Sequence, residues 1–424
     1  MVQTDRNDNR DVMRGLTALL CAGHFLAFVD RFLFSAVSPM LKVEFALSDR
    51  ALGLLQGTAF ALAYVVGSLV CTFLAKRRHS RLLVGGLLLW TAGEIGCACA
   101  VNMYGLACAQ MAIGFGQALF IPSALLLIAR GNHGAVGRAV SLFTASSTLG
   151  RSLAVLAAGL ILSNLQAMMG LAPWRILYGI AAVGGLGLAV FLFAVRHAAA
   201  LEGTAVEPES GLRRWFAAEG GAALRIVLAT LPVIVLIQAV AAWMPTLCAR
   251  DYGVGVPRAA TLVGAVTLFT SPTGQILGGR FFDRSPFASR YPLVVMAVGM
   301  AIACAAMSAV AARPVLWITL GLLGVANVAL GVTSLTGLAA LQTLLPLTLR
   351  ARINALFLAV VTATGFGAGP LLVGLLSDTR GATGSALAWA LMIVAAYATA
   401  LCAVVAIWDQ ALRRWGAANT WVPA

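Results

Sequence analysis

Long apolar runs separated by short polar segments dominate the pattern of this chain. A helix that crosses the hydrocarbon core of a bilayer needs about 20 largely apolar residues. Twelve runs meet that length, at residues 15–40, 51–75, 82–101, 104–129, 138–162, 174–196, 224–248, 258–279, 291–312, 314–340, 351–375 and 385–408. Strands of a membrane barrel would alternate polar and apolar side chains, and these runs do not. The pattern predicts an all-α membrane protein with twelve transmembrane helices.

The longest polar connector predicts where the chain divides, because it separates six runs from six. Two such bundles are typical of transporters built from internal repeats, with the substrate path between the halves. The predicted parts are an N-terminal cytoplasmic tail at 1–14, a six-helix bundle at 15–196, a cytoplasmic linker at 197–223, a second six-helix bundle at 224–408 and a cytoplasmic C-terminal tail at 409–424.

Composition and charge extend this picture. The chain is 61% hydrophobic and 10% charged, whereas soluble domains carry about 25% charged residues. The net charge is +14, but a cytoplasmic N-terminus places 20 of the 29 Lys and Arg residues inside and 7 outside. Such an excess indicates that both termini are cytoplasmic. We therefore expect a multi-pass protein of the cell membrane (inner or plasma), with the lipid bilayer and not nucleic acid as its partner.

Several features argue against an enzyme. The eight cysteines fall almost entirely within apolar runs, where cysteine packs as a small hydrophobe. Cys97 and Cys99 would point about 200° apart on a helix, which is poor geometry for one metal ion. The sequence has neither a Walker motif nor a Ser/His/Asp or zinc-binding set. We predict no enzymatic activity, no cofactor and no metal.

Polar residues inside the predicted spans form the candidate site. A charge at the bilayer centre costs about 2.5–3.5 kcal/mol on an insertion scale, so such residues are functional candidates. Four residues lie roughly 18–22 Å into their spans at about 1.5 Å per residue: Asp30, Glu94, Gln117 and Arg151. This depth is near the middle of a core about 30 Å thick. One polar layer at that depth is what a midplane binding site requires.

Asp30 is the predicted proton carrier, and Glu94 is the second candidate for proton coupling. Burial favours a protonated carboxyl group, whereas the neighbouring Arg31 favours the carboxylate, so the proton on Asp30 can be switched. The alternative is that Asp30 and Arg31 form a structural pair. Glu94 and Arg151 have opposite signs at similar depth, so we hypothesise a buried ion pair between them. In the alternative, each meets a separate polar neighbour.

Predicted substrate contacts come from both halves. His24 and Arg31 are seven residues apart and share a helix face, which would attract an anionic group, although His24 can instead pack between helices. The second half has no charge in mid-span, and its amides and hydroxyls can bind either a substrate or a neighbouring helix. The predicted substrate-binding residues are His24, Arg31, Gln117, Arg151, Gln238 and Asn327.

Local motifs resemble the spinster-like branch of the major facilitator superfamily. The first span contains Asp30-Arg31, and the second begins with Gly53-Leu54-Leu55-Gln56. The general loop motif of the superfamily is present at Gly279-Arg280-Phe281-Phe282-Asp283-Arg284. The resemblance implies a fold of two six-helix bundles, a monomer, and transport by alternating access.

Three positions depart from the pattern of that branch. Lys76-Arg77 stands where the first loop motif carries Asp-Arg, and Gln110 and Gln117 stand where span four usually has an Arg and a Glu. The loop motif normally holds the cytoplasmic side closed through charge pairs. The resemblance therefore implies gating roles for four residues: Lys76, Arg77, Asp283 and Arg284.

We expect a secondary active transporter that moves a small amphiphilic or anionic organic molecule by alternating access, with proton-coupled export. The Glu that is missing from span four makes a uniporter, or an uptake symporter of an organic acid, the first alternative. A non-transporting membrane sensor on the same fold is an alternative of another class.

Overall fold

The computed structural model describes residues 2–74, 79–131, 136–165, 170–198, 212–381 and 385–419. Within these ranges the chain forms helices and their connections, without a strand. The first half comprises α1 (Val2–Glu44), α2 (Asp49–Gly53), a π-helical segment (Leu54–Thr58), α3 (Ala59–Leu74), α4 (His79–Cys99), α5 (Met103–Gly131), α6 (Val136–Asn164) and α7 (Pro173–Ala198). The second half comprises α8 (Leu212–Asp251), α9 (Val256–Arg284), α10 (Pro286–Arg290), α11 (Pro292–Ala311), α12 (Leu316–Leu344), α13 (Leu347–Thr379) and α14 (Ala386–Asn419).

The described helices confirm the predicted all-α membrane fold. Eleven of them are long and apolar enough to cross a membrane. The twelfth predicted span corresponds to α9, which is less apolar than those eleven helices. Its middle carries a run of hydroxyl and amide side chains, and its end is charged. Polar groups on one helix can be satisfied by neighbouring helices, so this composition is compatible with a membrane span.

Several helices continue beyond the apolar runs that predicted them. The helix α8 begins at Leu212, inside the connector expected at 197–223, and α14 continues to Asn419. The rest of that connector, residues 199–211, lies outside the described residues. Hydropathy marks only the part of a helix that lies in hydrocarbon. The backbone hydrogen bonds of the same helix continue beyond that part into water. Sequence pattern therefore locates the spans better than the helix ends.

The chain clusters into two compact units. One contains Met1–Glu207 and Met244–Ala265, and the other contains Pro208–Trp243 and Val266–Ala424. The segment 244–265, expected in the second bundle from the sequence, thus clusters with the first unit. Arg250 in this segment donates to both carboxylate oxygens of Asp49, at 2.8 and 2.7 Å, and Lys42 also pairs with Asp49. These ion pairs attach the end of α8 to the start of α2.

Close glycine contacts set how α4 and α5 pack in the first unit. A Cβ on Gly116 would lie 2.5 Å from the Gly86 carbonyl oxygen and 2.5 Å from the Trp90 backbone nitrogen. Only glycine allows two helix backbones to approach this closely. This contact fixes α4, and with it Trp90, against α5.

Candidate functional site

Two carboxyl groups meet at one indole in the interior of the first unit. The Trp90 Nε1–H group donates to Asp30 Oδ2 at 2.7 Å and to Glu94 Oε1 at 2.8 Å. Asp30 is 5% exposed, Glu94 1% and Trp90 0%. The sequence placed Asp30 and Glu94 at the same depth, and this contact is consistent with that placement. We call Asp30 and Glu94 the acid pair, and Trp90 provides the indole that both contact.

Asp30 and Glu94 lie close together, because one indole N–H group donates to a carboxyl oxygen of each. Two carboxylates cannot hydrogen-bond without a proton, because both are acceptors only. Among the described residues, no group donates to Glu94 Oε2. One proton held by the pair would provide a donor between the two carboxyl groups, and it would remove the cost of two adjacent buried negative charges.

A buried cation lies beside the acid pair. Arg31 Nε donates to Gln117 Oε1 at 2.7 Å, and Gln117 Nε2 donates to the Ala27 carbonyl oxygen at 3.2 Å. The guanidinium lies over three aromatic rings, with centroid distances of 4.7 Å to Phe28, 4.8 Å to Phe60 and 5.1 Å to Tyr64. Such contacts stabilise a desolvated cation. Arg31 is therefore tied to α5 and α3, and its charge can balance one negative charge on the acid pair.

Helix geometry explains how the acid pair is assembled. Trp90 and Glu94 are four residues apart on α4, so their side chains lie on one face. Gly185 on α7 makes room for the carboxyl group, since a Cβ there would lie 3.3 Å from Glu94 Oε2 and 2.4 Å from Thr91 Oγ1. The small residue and the close α4–α5 contact together place Glu94 against Asp30 of α1.

A second polar cluster lies close to the acid pair. Gln110 Nε2 donates to the Tyr178 hydroxyl at 3.4 Å and approaches Cys97 Sγ at 3.8 Å. All three side chains are buried. Gln110 occupies the position where the spinster-like pattern carries an Arg, and here it joins α4, α5 and α7 without adding a charge.

The predicted ion pair between Glu94 and Arg151 is wrong. Within the described ranges no ion pair joins them, and the Glu94 carboxyl group lies against Asp30 and Trp90. Depth along two helices fixes height, but it does not fix which faces meet. Arg151 on α6 is half-buried.

His24 occupies a packing position. Its Nδ1 is 2.7 Å from the Phe143 carbonyl oxygen, and its ring stacks on Phe143 with centroids 3.9 Å apart. It is 6% exposed. These contacts favour the packing alternative over direct substrate binding, because the imidazole joins α1 to α6.

The two predicted contacts in the second unit differ in their environment. Gln238 on α8 is 5% exposed, and its Nε2 has no hydrogen-bond partner among the described residues. Asn327 on α12 instead donates to Thr267 and Thr270 of α9 at 3.4 and 3.3 Å. Asn327 therefore joins helices, whereas Gln238 keeps a donor available.

The predicted gating residues are only partly described. Lys76 and Arg77 lie outside the described residues. Asp283 and Arg284 are exposed at the end of α9. Their gating role stays a prediction.

Trp90 is the main member of the site that sequence reasoning missed. Its role is not evident from the sequence, because a tryptophan in an apolar run usually packs in the core or against lipid. The available signal was its position four residues before an intramembrane glutamate, which puts an N–H donor beside a carboxyl acceptor.

Comparisons with known proteins agree with this architecture. A family model described as Major Facilitator Superfamily matches residues 20–370. An MFS-type efflux pump of Mycolicibacterium smegmatis is 25% identical over 391 residues, which is 89% of this chain and 88% of that protein. A probable sphingolipid transporter, spinster homolog 1 of Arabidopsis thaliana, is 37% identical over 82 residues, covering 19% of this chain and 16% of that protein.

Solved structures show the same fold. The crystal structure of a bacterial homologue of the human lysosomal transporter Spinster has a TM-score of 0.79 at 19% sequence identity, and the match covers 98% of this chain and 99% of that chain.

Proposed function

The chain belongs to the Major Facilitator Superfamily, a family of membrane transporters, and from that premise we propose that it couples the movement of a small organic molecule to protons. The cargo is amphiphilic or anionic, and the protein exports it by alternating access. The contact of Asp30 and Glu94 with one buried indole N–H group is the single observation that carries this proposal.

Charge balance explains why the acid pair suits coupling. With one shared proton, the pair has one negative charge, which Arg31 offsets. Loss of that proton leaves two negative charges against one positive charge in the interior, and an uncompensated buried charge is costly. Gain of a second proton leaves no negative charge on the pair to offset the charge of Arg31. Each protonation state therefore favours a different environment, and a conformational change that alters the environment also moves the proton.

Export is supported by the similarity to the mycobacterial efflux pump, which extends over most of both chains. In an exporter, cargo binding and protonation alternate, so that cargo leaves as protons enter. Gln238 supports the recognition part of the proposal, because its buried amide donor is available to a polar group of the cargo. The residues proposed for coupling lie in the first unit and this donor lies in the second.

Uptake symport of an organic acid is the second candidate. A probable L-galactonate transporter of Escherichia coli is 28% identical over 192 residues, covering 45% of this chain and 41% of that protein. The charge argument also favours it, since a second proton on the acid pair leaves Arg31 able to bind an anion. Protons and anion would then move in the same direction.

The test is substrate-driven proton movement in de-energised everted vesicles that contain a pH dye. A panel of lysolipids, siderophores and aromatic or carboxylic acids is added outside. Antiport makes the lumen more alkaline as cargo enters, whereas symport makes it more acidic. We expect one compound to produce a response, and we expect Asp30→Asn and Glu94→Gln each to abolish it.

The matched control is Glu44→Gln, which removes an exposed carboxylate that accepts from a tryptophan and an arginine. It should retain the response. A response that survives in both Asp30→Asn and Glu94→Gln would refute coupling through the acid pair. Binding of a compound without proton movement would also refute coupling, and a radiolabelled flux assay would then separate a uniporter from a sensor.

A further inference from the structure

A groove on the second unit runs between α11 and α14. Its volume is about 730 Å³. Most of its lining is small and apolar, including Ala297, Ala301, Ala403 and Ala406. Two polar residues, Gln410 and Arg414, line one end. The groove is thus apolar along its length and has hydrogen-bond donors at one end.

The length of the groove matches one leaflet of a bilayer. Ala403 and Arg414 are eleven residues apart on α14, which corresponds to about 16 Å along the helix. Half of a hydrocarbon core is about 15 Å. If Ala403 lies near the middle of the membrane, Arg414 lies where lipid headgroups begin.

Positive charge is concentrated at the polar end. Asp409 accepts from Arg225 Nε at 2.8 Å and from Arg413 Nε at 2.7 Å, so both cations share one carboxylate. Arg290 lies over the Tyr291 ring, 5.5 Å from its centroid. In the part of the chain that the structure describes, Arg414 forms no ion pair. Two arginines therefore share one carboxylate, and Arg290 and Arg414 add further positive charge at this end.

Gln410 provides a second, independent observation. Its Nε2 atom is buried, yet it has no acceptor among the described residues. A buried donor without a partner is destabilising, and a ligand that brings an acceptor would relieve that cost. An amide donor and a guanidinium at one end of an apolar groove are complementary to a phosphate joined to acyl chains.

We propose that this groove binds one anionic phospholipid, with an acyl chain along the alanines and the phosphate at Gln410 and Arg414. The predicted topology places this end of α14 on the cytoplasmic side, where anionic lipids attract basic residues. The proposal does not depend on proton coupling or on the identity of the cargo.

A groove in the first unit provides a natural comparison. It has a volume of about 480 Å³ and is lined entirely by apolar residues, among them Leu62, Leu89, Met111 and Ala112. That groove can hold hydrocarbon but offers no side-chain donor to a headgroup. Discrimination between lipid headgroups should therefore come from the α11–α14 groove.

Native mass spectrometry of the full chain, titrated with phosphatidylglycerol or with phosphatidylcholine of the same acyl chains, tests the proposal. One basic residue near a membrane surface contributes about fivefold to the affinity for an anionic lipid. We expect phosphatidylglycerol to bind more tightly, and Arg414→Gln to weaken its binding about fivefold. Ala301→Trp should block the site, because Ala301 is exposed and a larger side chain there fills the groove without displacing the core.

The matched controls remove the same charge and add the same bulk elsewhere. Arg313→Gln removes an exposed arginine beyond the other end of α11, and Ala112→Trp fills the groove in the first unit. Both should leave phosphatidylglycerol binding unchanged. Equal binding of the two lipids would overturn the proposal, and so would a loss in Arg313→Gln as large as that in Arg414→Gln.

Discussion

A single indole N–H serves two buried carboxyl groups in this protein. Hydrogen bonds to charged groups contribute about 1.5–3 kcal/mol each, so Trp90 helps to hold the negative charge that remains on the acid pair. In the proposed mechanism, a second carboxyl group and an indole take the role that the spinster-like pattern implies for a glutamate on span four. Gln117, which replaces that glutamate, accepts from Arg31 instead.

Replacement of Trp90 by Phe should uncouple proton movement from transport. The substitution retains an aromatic ring in the core but removes the donor to Asp30 and Glu94. Because about 1.4 kcal/mol corresponds to a factor of ten, we expect substrate-driven proton flux to fall at least about tenfold. The vesicle assay with the pH dye measures this directly, at expression levels matched by immunoblot.

Trp243→Phe is the matched control for this substitution. Trp243 is also fully buried, and its indole donates to the Pro370 carbonyl oxygen at 2.9 Å, so both variants lose one buried indole donor. If the two variants lose flux and thermal stability equally, Trp90 serves packing alone and the coupling role assigned to it is wrong.

Sequence could place the charged residues of this site by depth but could not choose their partners. Asp30 and Glu94 were expected at one depth, and they do meet. Glu94 was assigned to Arg151 because opposite charges at one depth suggest a pair. Which side chains meet depends on how the helices rotate about their axes, and glycine contacts between backbones set that rotation. Those contacts are a property of two helices, so one apolar run does not reveal them.

At the scale of helices, the α4–α5 contact controls the position of the acid pair. Gly86 and Gly116 are the points of closest approach. Small residues at such points allow the van der Waals packing that holds membrane helices together. A side chain at either position would separate the helices and move Trp90 away from Asp30.

Gly116→Ala should therefore destabilise the protein. The new methyl group would lie 2.5 Å from backbone atoms of Gly86 and Trp90, and overpacking of this kind costs about 1–3 kcal/mol. We expect a lower melting temperature in detergent, measured by intrinsic fluorescence, together with reduced proton flux. The control is Gly85→Ala, because a Cβ on Gly85 meets nothing within 4 Å. Because Ala favours a helix more than Gly does, a melting temperature lowered equally in both variants would show that the contact at Gly116 is not responsible.

The apolar runs of the sequence predict most of the membrane helices. Each long apolar run corresponds to a helix, because a chain in lipid must satisfy its backbone hydrogen bonds internally. The helix α9 is less apolar than the other spans. Its Thr267 and Thr270 accept hydrogen bonds from Asn327 of α12. A hydroxyl-rich span of this kind is stable because its neighbour supplies the partners.

At the scale of the whole molecule, the distribution of Lys and Arg predicts the orientation in the membrane. Orientation bears directly on the phospholipid proposal, because it sets which leaflet contains the α11–α14 groove. The charge excess is large, with 20 basic residues expected inside and 7 outside. The two ends of α11 offer a direct test, since Arg290 precedes this helix and Arg313 follows it.

We expect a membrane-impermeant maleimide to label Arg313→Cys in intact cells and to label Arg290→Cys only after permeabilisation. Both variants are made in a chain whose exposed Cys99 and Cys108 are replaced by serine, because those thiols would also react. The two positions are exposed arginines at opposite ends of one helix, so each is the control for the other. The reverse labelling pattern would place both termini outside and the phospholipid groove in the outer leaflet.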